Sequence, residues 1–186
     1  MSVLVFAESS EGKFKKVAFE AVSYGNQVAS QLGTDLVVLT INASNASELY
    51  QYGAEKVLEV NDDKLGTFNA KAYANVIQEV ASSEESDIII IDSSANGLYL
   101  APLVAVKMDA GLASNVMAVP SNLSPFTVKR KAFSNKAFQN TTITSAHKVI
   151  GLAKNSFGVK ENVVQGSIAS FSPSLSDDLF KVASSS

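Results

Sequence analysis

The chain has 186 residues, 46% of them hydrophobic and 18% charged, which is enough apolar material for one domain with a sizeable core. Its 15 basic and 18 acidic residues give a formal net charge of −3 and no basic stripe of the kind a nucleic-acid backbone requires. With no cysteine and one histidine, His147, the chain by itself cannot form disulfides, thiolate nucleophiles, iron–sulfur ligation or a multi-histidine metal site.

Residues 1–8 lack the basic start of a signal peptide, and no apolar run reaches the roughly 20 residues of a membrane helix. The expected setting is the cytoplasm or an equivalent soluble interior. Residues 3–7 form a continuous β-prone run, expected as a strand buried on both faces, and residues 9–12 read as a turn. From Phe14 to Leu32 apolar residues recur with a period of 3.6, predicting a helix stopped by Gly33. Residues 36–41 are a second buried strand, completing a right-handed parallel βαβ unit.

Ser47 is placed to cap a short helix that ends before Gly53, and residues 56–60 read as a strand. Phe68, Tyr73, Val76, Ile77 and Val80 line one face of the next helix, with a polar exit over residues 82–86. Four isoleucines between Asp87 and Asp92 are the strongest strand signal in the chain. A helix is expected over residues 96–108, with Pro102 in it and Gly111 ending it, then a strand over residues 116–119.

Beyond Pro120, residues 126–133, 141–144 and 149–152 have β propensity and read as hairpin strands added to the sheet. From Ser167 the chain is serine-rich and without period, expected as a linker or tail that closes on Ser184, Ser185 and Ser186. The pattern predicts an α/β, three-layer Rossmann-like domain with a mostly parallel sheet and a β-rich C-terminal section. Its domain spans residues 1–165, and residues 166–186 form the tail.

Chemistry is sparse. No two glycines are two apart, so the dinucleotide-binding fingerprint is absent. Gly12 and Lys13 resemble the end of a phosphate loop, but Ala7 and Phe14 stand where that motif needs glycine and a hydroxyl. Lys13, Lys15 and Lys16 oppose the helix dipole; they fit either a solvated turn or an anion or partner contact. Ser93, Ser94, Asn96 and Gly97 follow a strand end and precede a helix, so they could cradle a phosphate, while helix capping by Ser94 or Asn96 explains the same residues. Asp87 and Asp92 lie at opposite ends of one strand, roughly 16 Å apart, too far to act as a carboxylate pair. His147 has no carboxylate beside it in sequence. Lys129, Arg130, Lys131 and Lys136 fit a solvated hairpin or docking to an acidic surface. No catalytic constellation assembles, so the residues do not point to an enzyme.

Four segments, spread in order over residues 3–150, resemble the N-terminal domain of electron-transfer flavoprotein alpha subunits. They are Val3-Leu4-Val5-Phe6-Ala7-Glu8 with Gly12-Lys13-Phe14-Lys15, Tyr52-Gly53-Ala54-Glu55-Lys56-Val57, Met108-Asp109-Ala110-Gly111-Leu112-Ala113-Ser114-Asn115, and Arg130 with Phe133-Ser134-Asn135-Lys136-Ala137. The last is similar to the family's Arg…Tyr-Ala-Gly-Asn-Ala hairpin, with Ser134 in place of the glycine and Lys136 as an extra residue.

The resemblance implies a heterodimer with a beta subunit. That heterodimer carries FAD and takes electrons from dehydrogenases, such as the acyl-CoA dehydrogenases of fatty acid beta-oxidation, to a quinone oxidoreductase. In the family most FAD ligands lie in a C-terminal domain of alpha, and its glycine-rich segment has no counterpart here, so no FAD residue is carried over and no cofactor is expected on this chain alone. The chain is then expected to be part of a longer alpha subunit, serving as a scaffold with Lys13, Arg130 and Asn135 as candidate subunit contacts. The alternative is a stand-alone adenine-nucleotide-binding module that uses Ser93, Ser94, Asn96 and Gly97.

Overall fold

A computed structural model describes residues 2–181. β1 (Ser2–Phe6) is buried along its whole length, and the small hairpin β2 (Ser9–Ser10) and β3 (Lys13–Phe14) leads into α1 (Lys16–Leu32). The helix stops at Gly33, whose φ of 64° is the left-handed geometry that glycine adopts without a Cβ clash. β4 (Asp35–Ile41) lies parallel to β1, with Val5 opposite Val38. A 3₁₀ turn (Ala46–Gln51), β5 (Lys56–Val60) and a second 3₁₀ turn (Asp63–Leu65) follow. α2 (Ala70–Ser83) is capped by the Asn69 side chain, which accepts from the N–H groups of Lys71 and Ala72.

β6 (Ser86–Asp92) and α3 (Ala95–Lys107) come next, then β7 (Gly111–Val116), β8 (Asn122–Leu123), β9 (Phe126–Ala132), β10 (Ala137–Ile143), β11 (Lys148–Leu152) and β12 (Ser167–Ser170). A last 3₁₀ turn covers Asp177–Phe180.

The main sheet runs β10-β9-β7-β11-β6-β1-β4-β5-β12, with β8 paired to β9. It is parallel except where β7, β8 and β10 meet β9. α1 packs on one face, over Val3, Val5, Ile88, Ile90 and Ile150. α2 and α3 pack on the other, over Leu4, Leu39, Ile89, Ile91 and Val149. The fold is thus the expected three-layer α/β arrangement with an antiparallel extension. Gly25 sets the approach of α1, because a Cβ there would lie 2.3 Å from Val5 Cγ2 and 3.1 Å from Leu36 Cδ1.

Several elements depart from expectation. The strand placed at 116–119 is Gly111–Val116 instead. Gly111 opens it rather than ending the helix, because its N–H is claimed by the His147 carbonyl and the Ser145 hydroxyl. The helix has already turned at Asp109, with φ 49°. β11 is no hairpin strand: it lies parallel between β6 and β7, buried from Val149 to Leu152, as its unbroken apolar run suits. Ser47 does not cap its turn, and its hydroxyl donates to Asn45 Oδ1. Phe68 precedes α2 and meets Tyr73 edge-on at 5.0 Å. The serine-rich segment carries β12, parallel to β5, and Phe171, Leu175, Leu179 and Phe180 pack on the α2 side of the core. Ser184, Ser185 and Ser186 lie outside the described residues.

Two buried polar groups on α1 hold the loops at the carboxyl end of the sheet. The Glu20 carboxylate accepts from the N–H groups of Asn155, Phe157 and Gly158 at 2.8, 2.9 and 2.8 Å. The Tyr24 hydroxyl donates to the Ala118 carbonyl at 3.1 Å, and burial pushes its ionisation upward. Substitution at two glycines separates close packing from backbone strain. Gly25→Val, which drives branched carbon into Val5, is expected to cost ~1–3 kcal/mol in urea unfolding. Gly33→Ala meets open space, so only its left-handed backbone, about 1–2 kcal/mol, should register.

Candidate functional site

Strand order reverses between β1 and β6. The α1 connection leads from β1 toward β4, while α3 leads from β6 toward β7, so their carboxyl ends open a crevice of the kind where open α/β sheets take ligands. Two stretches singled out separately in the sequence meet there. A cavity of about 350 Å³ is lined by Lys15 and Lys16 from the start of α1, by Ser94 and Asn96 from the loop after β6, and by Glu8 and Lys154. Lys13 is not in this lining. It sits on β3, beside Gly12, whose carbonyl accepts from the Ser44 N–H.

The loop after β6 is closed on itself. Asp92 is buried, and its Oδ1 accepts the Ser94 N–H at 2.6 Å. Ser94 Oγ in turn accepts the Gly97 N–H at 2.9 Å, which is the capping arrangement. The Ser93 N–H donates to the Leu152 carbonyl, tying the loop to β11. Asn96 Nδ2 donates to Glu8 Oε1 at 2.5 Å, bridging β6's exit to β1's exit. Gly97 is required by contact, since a Cβ would lie 1.9 Å from the Asp92 carbonyl oxygen.

Burial pushes the Asp92 carboxyl pKa up and Glu8 adds to the shift, while hydrogen bonds from Ser94 and the charge of Lys154 act in the opposite direction. A diphosphate brought to this cavity would meet the Glu8 carboxylate beside Lys15, Lys16 and Lys154, and the Ser94 and Gly97 N–H groups are already taken. Ser94 and Gly97 therefore offer a pyrophosphate no free N–H group.

The opposite, amino end of the sheet holds a larger cavity of about 680 Å³. There β6 and β11 run in register, so His147 Nδ1 stands 3.3 Å from Asp87 Oδ1, a neighbour that sequence spacing did not reveal. The pair is not aligned as a hydrogen bond. The serines beside it are engaged elsewhere, Ser86 with Ser2 and Ser82 with Gln78, so no activated nucleophile results.

Arg130 and Asn135 share the β9–β10 hairpin. Arg130 Nη2 donates to Ser114 Oγ at 3.2 Å, and its Nε is buried without a partner. Asn135 lies at the turn, where Phe133, Ser134 and Asn135 all have positive φ. Lys13 lies on the far side of the sheet centre. Between β9 and β1 there are four strand spacings, roughly 19 Å at about 4.8 Å each. The three residues therefore do not form one patch.

Sequence periodicity overlooked a further surface. α3 is apolar on all sides. Its inner residues Leu100, Ala101, Val104 and Ala105 are buried, while Leu98, Tyr99 and Val106 are 56%, 71% and 82% exposed. The readable signal was the lack of a polar face on a helix with Leu98, Tyr99, Leu103 and Val106 in it. Buried Val116 pairs with Arg130, which puts Arg130 on the α1 side and Lys129 and Lys131 on the α3 side. Phe138, opposite Lys131, shares that side and is 62% exposed. Leu112 on β7 faces the same way, so α3 and the sheet beyond it expose several apolar side chains on one side, with Lys129 and Lys131 among them.

A family model described as the electron transfer flavoprotein domain matches residues 3–175. The chain is 31% identical over 178 residues to the electron transfer flavoprotein subunit alpha of Bacillus subtilis, an alignment covering 94% of this chain and 55% of that one. It is 29% identical over 151 residues to the electron transfer flavoprotein subunit alpha of Clostridium acetobutylicum, covering 78% and 45%. The acryloyl-CoA reductase electron transfer subunit beta of Anaerotignum propionicum is 26% identical over 159 residues, covering 84% and 43%. The chain spans about half the length of these curated relatives.

The environment of Asp92 fixes the sign of a pH effect. The folded chain holds the Asp92 proton more tightly than the unfolded chain, so stability falls as pH climbs from the ordinary value of 3.8 through the higher folded value. Asp92→Asn keeps an acceptor for the Ser94 N–H and removes the charge. Urea unfolding across this range should show the variant gaining on the parent as pH rises and the two converging at the acid end; a gap independent of pH would contradict this.

Proposed function

The chain belongs to the electron transfer flavoprotein domain family, and on that premise we propose that it is the scaffold and subunit-pairing part of an alpha subunit. The observation that carries this reading is the outer face of α3, where Leu98, Tyr99 and Val106 stand exposed on a helix with no polar side. A helix apolar all round suits burial on both sides. The core covers one side, and a beta-type subunit supplies the other cover.

Asn135, at the turn of the hairpin beyond α3, adds a polar contact to this interface, while Arg130 on the α1 side and Lys13 at the exits of β1 and β4 make separate ones. The heterodimer carries FAD. Because Ser94 and Gly97 offer a pyrophosphate no free N–H group, the flavin contacts are assigned to parts of the heterodimer other than these residues. Residues 166–186 lead toward that flavin-binding part, with β12 docking the first of them on β5.

In this role the chain carries no reaction of its own. The assembled protein conveys electrons from dehydrogenases, such as acyl-CoA dehydrogenases, to a quinone oxidoreductase, in the cytoplasm or an equivalent interior. The names of relatives support an electron-transfer setting, among them the electron transfer subunit beta of an acryloyl-CoA reductase and a lactate dehydrogenase (NAD(+),ferredoxin) subunit. Among the described residues no helix is long and apolar enough to cross a membrane.

Co-expression with a beta-type subunit tests the proposal. Tyr99→Glu and Leu103→Glu should each weaken pairing about 30-fold or more, the loss of a hot spot worth about 2 kcal/mol, while the unfolding midpoint of the chain itself stays unchanged. Arg130→Glu should weaken it by a smaller factor. Pairing that is indifferent to both α3 variants would sink the reading. Calorimetric titration of the chain with AMP should give no binding heat, whereas saturable binding through Ser93, Ser94, Asn96 and Gly97 would favour the nucleotide-module alternative.

A further inference from the structure

Charge is unevenly placed along this chain. Residues 110–160 contain no aspartate or glutamate and seven lysines and arginines, while all 18 acidic residues lie outside that stretch. Among the described residues none of these seven cations forms an ion pair. Four of them, Lys129, Arg130, Lys131 and Lys136, belong to the β9–β10 hairpin. A protein of net charge −3 thus carries a locally positive edge whose own acids do not neutralise it.

That edge is also an open strand. β10 ends the sheet, and its register with β9 runs unbroken from Ala137 opposite Ala132 to Ile143 opposite Phe126. Exposed sheet edges present unpaired backbone N–H and C=O groups, and proteins usually blunt them with charge, proline, bulges or shortness. β10 has none of these: it is seven residues of Ala-Phe-Gln-Asn-Thr-Thr-Ile, exposed over its first four positions. The opposite edge, β12, is only four residues long. Beside the open edge stands Phe138, 62% exposed, with Lys129 Nζ 4.8 Å from its ring centroid and Lys131 paired across from it.

We propose that the outer edge of β10 takes an extended acidic segment of a partner protein as a further strand. Backbone groups of the segment continue the ladder, an apolar residue covers Phe138, and glutamate or aspartate side chains meet Lys129, Lys131 and Lys136. A free strand edge is matched by another polypeptide backbone rather than by phosphates, which is why a peptide is favoured over nucleic acid. The strand edge adjoins the face proposed for subunit pairing, and its peptide binding is read on this chain alone, with no beta-type subunit present.

The probe is a fluorescein-labelled heptapeptide alternating glutamate and valine, titrated with the full chain and followed by anisotropy. Saturable binding is expected, weakened at least about tenfold by combining Lys129→Glu with Lys131→Glu. Methylating alternate backbone nitrogens of the peptide should abolish binding, because it removes ladder donors while leaving charge intact. Phe138→Ser, at an exposed position, should weaken binding without altering the circular dichroism spectrum, and so keeps the test sound if the double variant misfolds. The proposal is overturned if the peptide does not bind, if a lysine–valine counterpart binds as well, or if N-methylation changes nothing. Tighter capture of a short DNA duplex than of the acidic peptide would overturn it too.

Discussion

Double-sided burial of the central strands governs this molecule. β1, β6 and β11 lie between two layers of apolar packing, so their backbone groups can be satisfied only by neighbouring strands and their side chains only by helices above and below. Parallel pairing follows from the crossover helices, and the crossover helices follow from the need to cover both faces. The reversal of strand order between β1 and β6 is a by-product of covering both sides, and it sets the crevice at their carboxyl ends.

Much of this was legible because burial leaves a direct trace in sequence. The run of isoleucines in β6 and the 3.6-residue period of α1 admit few other readings. β11 and β7 were harder for opposite reasons. β11 is short and looks like any β-prone segment, and only its partners reveal it as a central strand. β7 contains Gly111, Ser114 and Asn115, polar or small residues tolerated because the strand borders the open side beyond α3 and is only half covered. β12 was invisible because a four-residue exposed edge strand, Ser-Ile-Ala-Ser, is too short to show an apolar period.

The candidate site shows the same division. Sequence identified the two segments that flank the crevice but not that they share it, since the meeting of Lys15 with Asn96 depends on sheet order. It also left open whether Ser94 serves a ligand or the helix. The structure spends that hydroxyl on the Gly97 N–H and the Asp92 carboxylate on the Ser94 N–H, which is the capping arrangement. The exposed flank of α3, with Leu98, Tyr99 and Val106 open to solvent, is the feature on which the proposed scaffold role rests. The missed cue there was compositional: α3 lacked a polar face, and a search for periodicity passes over a helix that has none.

Glu20 extends this logic to irregular chain. Three consecutive-region amides converge on one buried carboxylate, which makes the segment after β11 as firmly anchored as a strand although it has no ladder of its own. Rigidity in this protein is therefore not confined to its regular elements. A single acid on a helix holds a neighbouring loop through backbone N–H groups alone, so the loop's path is moored to one residue 135 positions earlier without calling on its own side chains.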